Sequence, residues 1–110
     1  MATEISKTSQ EGALEDPARI AIANAVTELS EVLSTSVVAL ATGAPDTKTV
    51  RRWANGERIP APDRERVLRY LLLLQRVLSK SETSSTIVNW LTGFNVQLDD
   101  APALLLRDYP

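Results

Sequence analysis

The chain has 110 residues, of which 44% are hydrophobic and 24% are charged. This length and balance fit one ordinary soluble domain, with or without a small appendage, and exclude a wholly disordered chain. The sequence contains no histidine and no cysteine, so catalysis by either residue, disulfides and thiol-ligated metals are excluded. We therefore expect no cofactor, no metal site and no enzymatic activity.

The charges are unevenly distributed, although the net charge is only -2. Between Asp46 and Arg69 there are seven lysines and arginines against four acidic residues, a balance of +3, which leaves -5 for the rest of the chain. One basic segment in an otherwise acidic chain favours an anionic partner for that segment.

No stretch of the sequence has the length of a membrane-spanning helix or the form of a secretion signal. The longest run of leucines covers only residues 71–74. The N-terminus begins Met1-Ala2-Thr3-Glu4, without a basic region followed by an apolar one. We therefore expect a cytoplasmic protein with no membrane partner.

The hydrophobic periodicity predicts an all-α fold, a small helical bundle in three parts. Residues 1–15 show no periodicity, which predicts a flexible N-terminal arm. Residues 16–80 are interpreted as a helix-turn-helix with dimerisation helices, and residues 81–110 as a short C-terminal helical region. The helix of residues 64–80 is apolar around most of its circumference, which predicts burial on more than one side, as the central helix or as a dimer seam.

Polar cap residues, several of them followed by proline, predict where the helices begin. The predicted start sites are Asp16-Pro17, Ser36, Asp46, Asp63, Ser81-Glu82-Thr83 and Asp99-Asp100-Ala101-Pro102. Glycines predict the ends of three helices, at Gly43 because glycine tolerates the left-handed backbone of a helix end. These glycines are Gly43, Gly56 and Gly93.

The third predicted helix, from Thr47 to about Asn55, is amphipathic in a specific way. At 100° per residue, Val50, Trp53 and Ala54 share one face, while cations and an asparagine occupy the other. A short helix and a glycine turn precede it, which is typical of a helix-turn-helix whose second helix enters the DNA major groove. There, arginine can pair with guanine and asparagine with adenine.

The sequence therefore predicts double-stranded DNA as a partner. Arg58 and Arg64, just beyond the helix, are expected to contact phosphates, and Thr47 at its start to add backbone N–H contacts. The predicted DNA-binding residues are Thr47, Lys48, Arg51, Arg52, Asn55, Arg58 and Arg64.

Two motifs, in this order, resemble one family. Residues 49–60, TVRRWANGERIP, are similar to the V-x-x-W-x-x-G-x-x-x-P run of antitoxins of the Xre/MbcA/ParS type. Residues 89–95, NWLTGFN, and 100–105, DAPALL, resemble that family's toxin-binding part, commonly W-L-x-x-x-N followed by P-x-x-L-L. The resemblance covers about residues 26–107.

This resemblance implies an antitoxin that dimerises, represses its own operon and neutralises a partner toxin, often of the RES type that consumes NAD. A homodimer would present two recognition helices, roughly 34 Å apart, to a palindromic operator. Individually, the matching side chains also suit a buried core. By matching position, the implied toxin-binding residues are Trp90, Leu91, Asn95, Pro102, Leu104 and Leu105.

Three alternatives remain open. The first is a stand-alone helix-turn-helix regulator that has no toxin. The second is a helical protein-interaction module whose working surface is the leucine-rich helix of residues 67–78. The third, an enzyme, is the weakest, because the adjacent carboxylates Asp99-Asp100 and Asp63-x-Glu65 are sufficiently explained as helix caps and no nucleophile lies near them.

Overall fold

The computed structural model describes residues 21–108, and this part of the chain forms six α-helices and no strand. The predicted all-α bundle is confirmed. The predicted arm of residues 1–15 and the helix start at Asp16-Pro17 lie outside the described residues. The helices are α1 (Ile22–Leu33), α2 (Thr35–Thr42), α3 (Thr47–Ala54), α4 (Pro62–Leu78), α5 (Ser84–Thr92) and α6 (Pro102–Arg107).

The core is centred on α1, which packs against α2, α3, α4 and α5. Its stripe of Ala25, Val26, Leu29 and Leu33 is fully buried or nearly so, as the 3.6-residue periodicity predicts. The helices around it contribute large buried side chains, which together form one hydrophobic cluster: Val38, Val50, Trp53, Leu68, Leu71, Leu72, Ile87 and Leu91.

A single residue, Ser34, joins α1 to α2 across a bend of 117°. Its backbone N–H donates to the Ser30 carbonyl (3.0 Å), and its side-chain oxygen accepts from the Val37 N–H (3.3 Å). The predicted cap, Ser36, is therefore wrong by two residues. Ser34 takes the role because its positive φ of 89° turns the chain sharply enough to end one helix and start the next.

Two other predicted caps are also wrong, and in both cases proline sets the boundary. Pro62 and Pro102 occupy the first turns of α4 and α6, so the N-caps are Ala61 and Ala101. A proline suits this position because its missing N–H would have no helical partner there. The neighbouring aspartates make local hydrogen bonds instead. Asp63, which follows Pro62, accepts from the Arg64 N–H (2.9 Å), and Asp100, which precedes Pro102, accepts from the Ala101 N–H (2.8 Å).

The C-terminal helices pack on the same core as the others. Helix α6 contacts α2, α4 and α5, and α5 also contacts α1. Thr83 caps α5 by accepting from the Thr86 N–H (3.2 Å), as its sequence predicts. Within residues 21–108, no single helix is long and apolar enough to cross a membrane; α1 and α2 reach that length and composition only together, across their bend.

Within residues 21–108, helix α4 is buried along one side only. Val67, Leu68, Leu71 and Leu72 are fully buried, where α4 packs against α1, α2 and α6. The remaining apolar side chains of this helix lie at the surface or are half-buried. The central helix of the bundle is therefore α1, and the interpretation of α4 as a dimer seam stays a prediction.

Candidate nucleic-acid interface

Helix α3 is fixed to the bundle by its apolar face. Val50 is completely buried and Trp53 is only 6% exposed, and both belong to the cluster that α3 forms with α1 and α2. Ala54 packs against the same cluster while half-buried. The predicted apolar face is confirmed, and it leaves the opposite side of α3 toward solvent.

The start of α3 is set by Asp46. One of its carboxylate oxygens accepts hydrogen bonds from the backbone N–H and the hydroxyl of Thr49, both at 2.8 Å. These bonds lower the pKa of Asp46 below its usual value, and the nearby charges of Lys48 and Arg52 lower that pKa further. The carboxylate is thus held ionised at the helix N-terminus, where negative charge is favourable.

The turn before α3 and the turn after it both depend on glycine. Gly43 and Gly56 have φ values of 75° and 77°, in the left-handed region that other residues rarely adopt. After Gly56 the chain folds back, so that the Glu57 and Arg58 N–H groups both donate to the Arg52 carbonyl (2.9 and 3.3 Å). This places Arg58 at the surface beside the end of α3.

The solvent side of α3 and the turn after it carry six of the seven residues predicted to bind DNA. Lys48, Arg51, Asn55 and Arg58 are exposed, and Thr47 and Arg52 are partly exposed. Arg51 donates to the Thr47 hydroxyl oxygen (3.3 Å), which holds it along the helix. No acidic residue occurs between Thr47 and Gly56. This face therefore presents hydrogen-bond donors with positive charge.

The seventh residue, Arg64, lies away from α3, in the first turn of α4. Its guanidinium donates to the Thr42 carbonyl at the end of α2 and to the Arg107 carbonyl at the end of α6 (3.1 Å). It also lies 3.4 Å from the Asp63 carboxylate, and its side chain is 22% exposed. These contacts tie the end of α2 to the end of α6 through α4, whereas the predicted phosphate contact stays a prediction.

Gly43 reinforces that junction through a close approach. A β-carbon at Gly43 would lie 3.2 Å from a side-chain carbon of Arg107 and 3.4 Å from a guanidinium nitrogen of Arg64. Only glycine combines the left-handed turn with this close packing. The turn between α2 and α3 is therefore packed directly against side chains from α4 and α6.

The six residues predicted to bind a toxin divide into internal and surface positions. Leu91 is fully buried, Pro102 is buried and Leu104 is half-buried, so these three support the fold. Trp90 and Leu105 are each 41% exposed. The side chain of Asn95 accepts from the Gln97 and Leu98 N–H groups (2.9 and 3.2 Å) and thereby shapes the loop between α5 and α6.

That loop exposes apolar residues that the sequence reasoning missed. Phe94, Val96 and Leu98 are 68%, 84% and 44% exposed, and the backbone pairing of Asn95 with Asp100 closes the loop beneath them (3.1 Å). We call residues 93–100 the apolar turn. The missed signal was alternation of apolar and polar residues between Gly93 and Asp99, a segment too short and too polar at its ends for a core element.

Comparisons with protein families, curated proteins and solved structures give no match to this chain. The functions proposed for α3 and for the apolar turn consequently rest on the geometry of residues 21–108 and on the residue motifs. Within those residues, no group of three or more acidic side chains could hold a metal ion.

Proposed function

We propose that the protein is a cytoplasmic DNA-binding antitoxin, a homodimeric repressor of its own operon that also neutralises a partner toxin. One observation supports the DNA-binding part most directly. Helix α3 is anchored by Val50 and Trp53 on its buried side. Its opposite side carries Lys48 and Arg52, with Arg51 at its edge, and no acidic residue lies on the helix. A recognition helix requires this division between an anchored face and a free face.

The chemistry of the free face suits a duplex. Arginine can donate two parallel hydrogen bonds to guanine O6 and N7, and asparagine can pair with adenine N6 and N7. Arg52 and Asn55 are assigned this role because they lie on the side opposite the apolar face formed by Val50, Trp53 and Ala54. Arg58, exposed in the turn after α3, is assigned to a phosphate, which contributes affinity without reading sequence.

The proposed toxin-binding surface is the apolar turn together with Trp90 and Leu105. Exposed aromatic and apolar side chains on a braced loop are suited to desolvation by a protein partner and unsuited to a hydrated polyanion. The resemblance to Xre/MbcA/ParS antitoxins supports a toxin of the RES type as that partner. Leu91, Pro102 and Leu104 would act from inside, by holding this surface in place.

The DNA assignment is tested by measuring the affinity of the purified protein for its own promoter and for a scrambled duplex of equal length, at one salt concentration. Arg52→Ala should weaken binding to the promoter by about 1 to 3 kcal/mol and binding to the scrambled duplex much less. Arg58→Ala is the matched control, because loss of a phosphate contact weakens both duplexes alike.

Equal losses on the two duplexes for Arg52→Ala would contradict its assignment as a base reader. If the double variant Arg51→Ala/Arg52→Ala keeps full affinity for both duplexes, DNA binding through α3 is wrong, and the helical protein-interaction module becomes the better interpretation.

The antitoxin assignment is tested by expressing the protein together with the product of the adjacent open reading frame. A stable complex with a growth-inhibiting neighbour is expected. A homodimer that elutes alone and still shifts promoter DNA would leave a stand-alone repressor and would remove the toxin-binding proposal.

A further inference from the structure

The outward side of α4 carries an apolar stripe that no other helix of the described chain covers. Tyr70, Leu73 and Val77 are 44%, 49% and 52% exposed, and they follow one another at the spacing that keeps side chains on one helical face. Scattered exposed apolar residues are normal, but a contiguous stripe marks an interaction surface. The stripe faces away from the buried side that includes Leu68 and Leu71.

Charged residues of opposite sign lie at the two ends of this stripe. Asp63 is exposed in the first turn of α4, and Lys80 is exposed just after its last residue. The Lys80 N–H still donates to the Val77 carbonyl (3.3 Å), so the chain continues the helical turn there. The outer face of α4, as we define it, comprises Asp63, Arg66, Tyr70, Leu73, Val77 and Lys80, all within a sector of roughly 100° at 100° per residue.

The charges of Asp63 and Lys80 are complementary to each other when a second copy runs antiparallel. A two-fold axis midway between Tyr70 and Leu73 places Tyr70 opposite Leu73 of the second copy, and Arg66 opposite Val77. The same axis places Asp63 opposite Lys80 at both ends of the helix pair. One position of the axis produces all three pairings, and each pairing occurs twice because the contact is two-fold symmetric.

We propose that two copies of the chain associate through the outer face of α4 in this antiparallel register. A parallel arrangement would instead set Asp63 against Asp63 and Lys80 against Lys80, which is repulsive at both ends. The proposal deepens the proposed function, which needs a two-fold dimer but does not say which surface forms it. Because α3 packs on α1 and α2, the dimer contact and the DNA-binding face use different helices.

A chain of this size has a reason to use such a surface. A domain near 110 residues buries only about two-thirds of the surface that its unfolded chain exposes. Covering Tyr70, Leu73 and Val77 in both copies removes further apolar surface from water. The long stem of Arg66 can pack over Val77 while its guanidinium remains hydrated.

A charge-exchange experiment tests the register. The dimer dissociation constant of the full chain is measured by sedimentation equilibrium for the unaltered protein, for Asp63→Lys, for Lys80→Asp and for the variant carrying both. Each single change creates two repulsive pairs per dimer and should raise the dissociation constant by about tenfold. The double variant restores attraction in the exchanged sense and should return to within about threefold of the original value.

Recovery of dimer affinity in the double variant is diagnostic, because the effects of the two substitutions on the stability of the monomer do not cancel. A lysine at the start of α4 and an aspartate near its end both oppose the helix dipole, so their effects on the fold add. Restored association therefore requires contact between the two positions in different copies. A monomeric unaltered protein at about 100 μM, or a double variant weaker than either single one, would overturn the proposal.

A second pair of variants tests the apolar centre of the contact. Leu73→Glu should raise the dissociation constant by about a hundredfold, because it places charges of like sign at the centre of the contact. Leu98→Glu is the matched control, since Leu98 is similarly exposed (44%) but lies on the apolar turn, and it should leave the constant unchanged. Equal effects of the two variants would contradict the assignment.

Circular dichroism establishes that each variant retains its helices. Failure of the DNA-binding proposal can be distinguished from failure of the dimer proposal. In the first case the dimer persists and its dissociation constant still changes on substitution of Asp63 and Lys80, while promoter affinity is insensitive to Arg52→Ala.

Discussion

Helix α3 and the apolar turn are each stabilised by a side-chain oxygen that accepts two hydrogen bonds, but one exposes a cationic surface and the other an apolar surface. At the start of α3, the Asp46 carboxylate accepts two hydrogen bonds from Thr49. In the apolar turn, the Asn95 side chain accepts two from the backbone of Gln97 and Leu98. The first brace supports a surface of arginine, lysine and asparagine, whereas the second supports exposed phenylalanine, valine and leucine.

Under the proposed function, this difference in surface chemistry would separate the DNA contact from the protein contact. A charged, hydrated face gains from counterion release on a polyanion, and it gains little from an apolar pocket. An apolar loop gains from desolvation against a protein, and it has no donors for phosphate.

The largest expected effect comes from an internal residue of the C-terminal region. Leu91→Ala should lower the free energy of unfolding by about 2 to 5 kcal/mol, because Leu91 is fully buried and its truncation leaves a cavity. Urea denaturation monitored by circular dichroism measures this loss. The matched control is Leu105→Ala, which should cost less because Leu105 is 41% exposed. Equal losses of stability would mean that burial does not distinguish residues that support the fold from residues that form the surface.

Residue type alone could not separate those roles in advance. Leucine and tryptophan serve both cores and interfaces, so the motif around Trp90 and Leu91 marks a region without distinguishing its inner from its outer residues. The helices themselves were predictable from periodicity and capping, and Val50 and Trp53 were correctly assigned to the buried face of α3. Proline, rather than the neighbouring aspartates, fixed the starts of α4 and α6.

A second, smaller effect is expected at the junction between the two regions. Arg64→Lys keeps the positive charge but replaces the guanidinium, one terminal nitrogen of which donates to both the Thr42 and the Arg107 carbonyls, with a shorter side chain. Unfolding free energy should fall by about 1 to 3 kcal/mol, the range for hydrogen bonds made by charged groups. Thermal denaturation measures the change. Unaltered stability combined with weaker binding to every duplex would instead support the predicted phosphate contact.

This junction could not be foreseen from the sequence. Arg64 and Thr42 are 22 residues apart, and Arg64 and Arg107 are 43 apart, so only the packing of α6 beside α2 brings their groups together. An arginine just after a recognition helix is typical of a phosphate contact. The carbonyls of two helix ends supply acceptors that a local pattern does not reveal.

A third prediction concerns the exposed apolar turn, where the expected change in the free energy of unfolding is smaller still. Phe94→Ala should change the free energy of unfolding by no more than about 0.5 kcal/mol, because Phe94 is 68% exposed and surface substitutions have small effects. The same variant should retain promoter affinity yet lose copurification with the partner toxin. A marked loss of stability would show that Phe94 supports the loop, as Asn95 does.

The smallest expected effect is a pH dependence at the start of α3. The folded pKa of Asp46 is lowered by its hydrogen bonds to Thr49, so this carboxylate contributes stability above its unfolded pKa and loses it as pH falls through the folded value. Asp46→Asn is the matched variant, because asparagine caps a helix about as well but does not titrate. The melting temperature of the unaltered protein should therefore be slightly higher than that of Asp46→Asn near pH 7, and this advantage should shrink in acid below about pH 4. Parallel melting curves over that range would mean that ionisation of Asp46 does not stabilise α3, and that only the capping geometry matters.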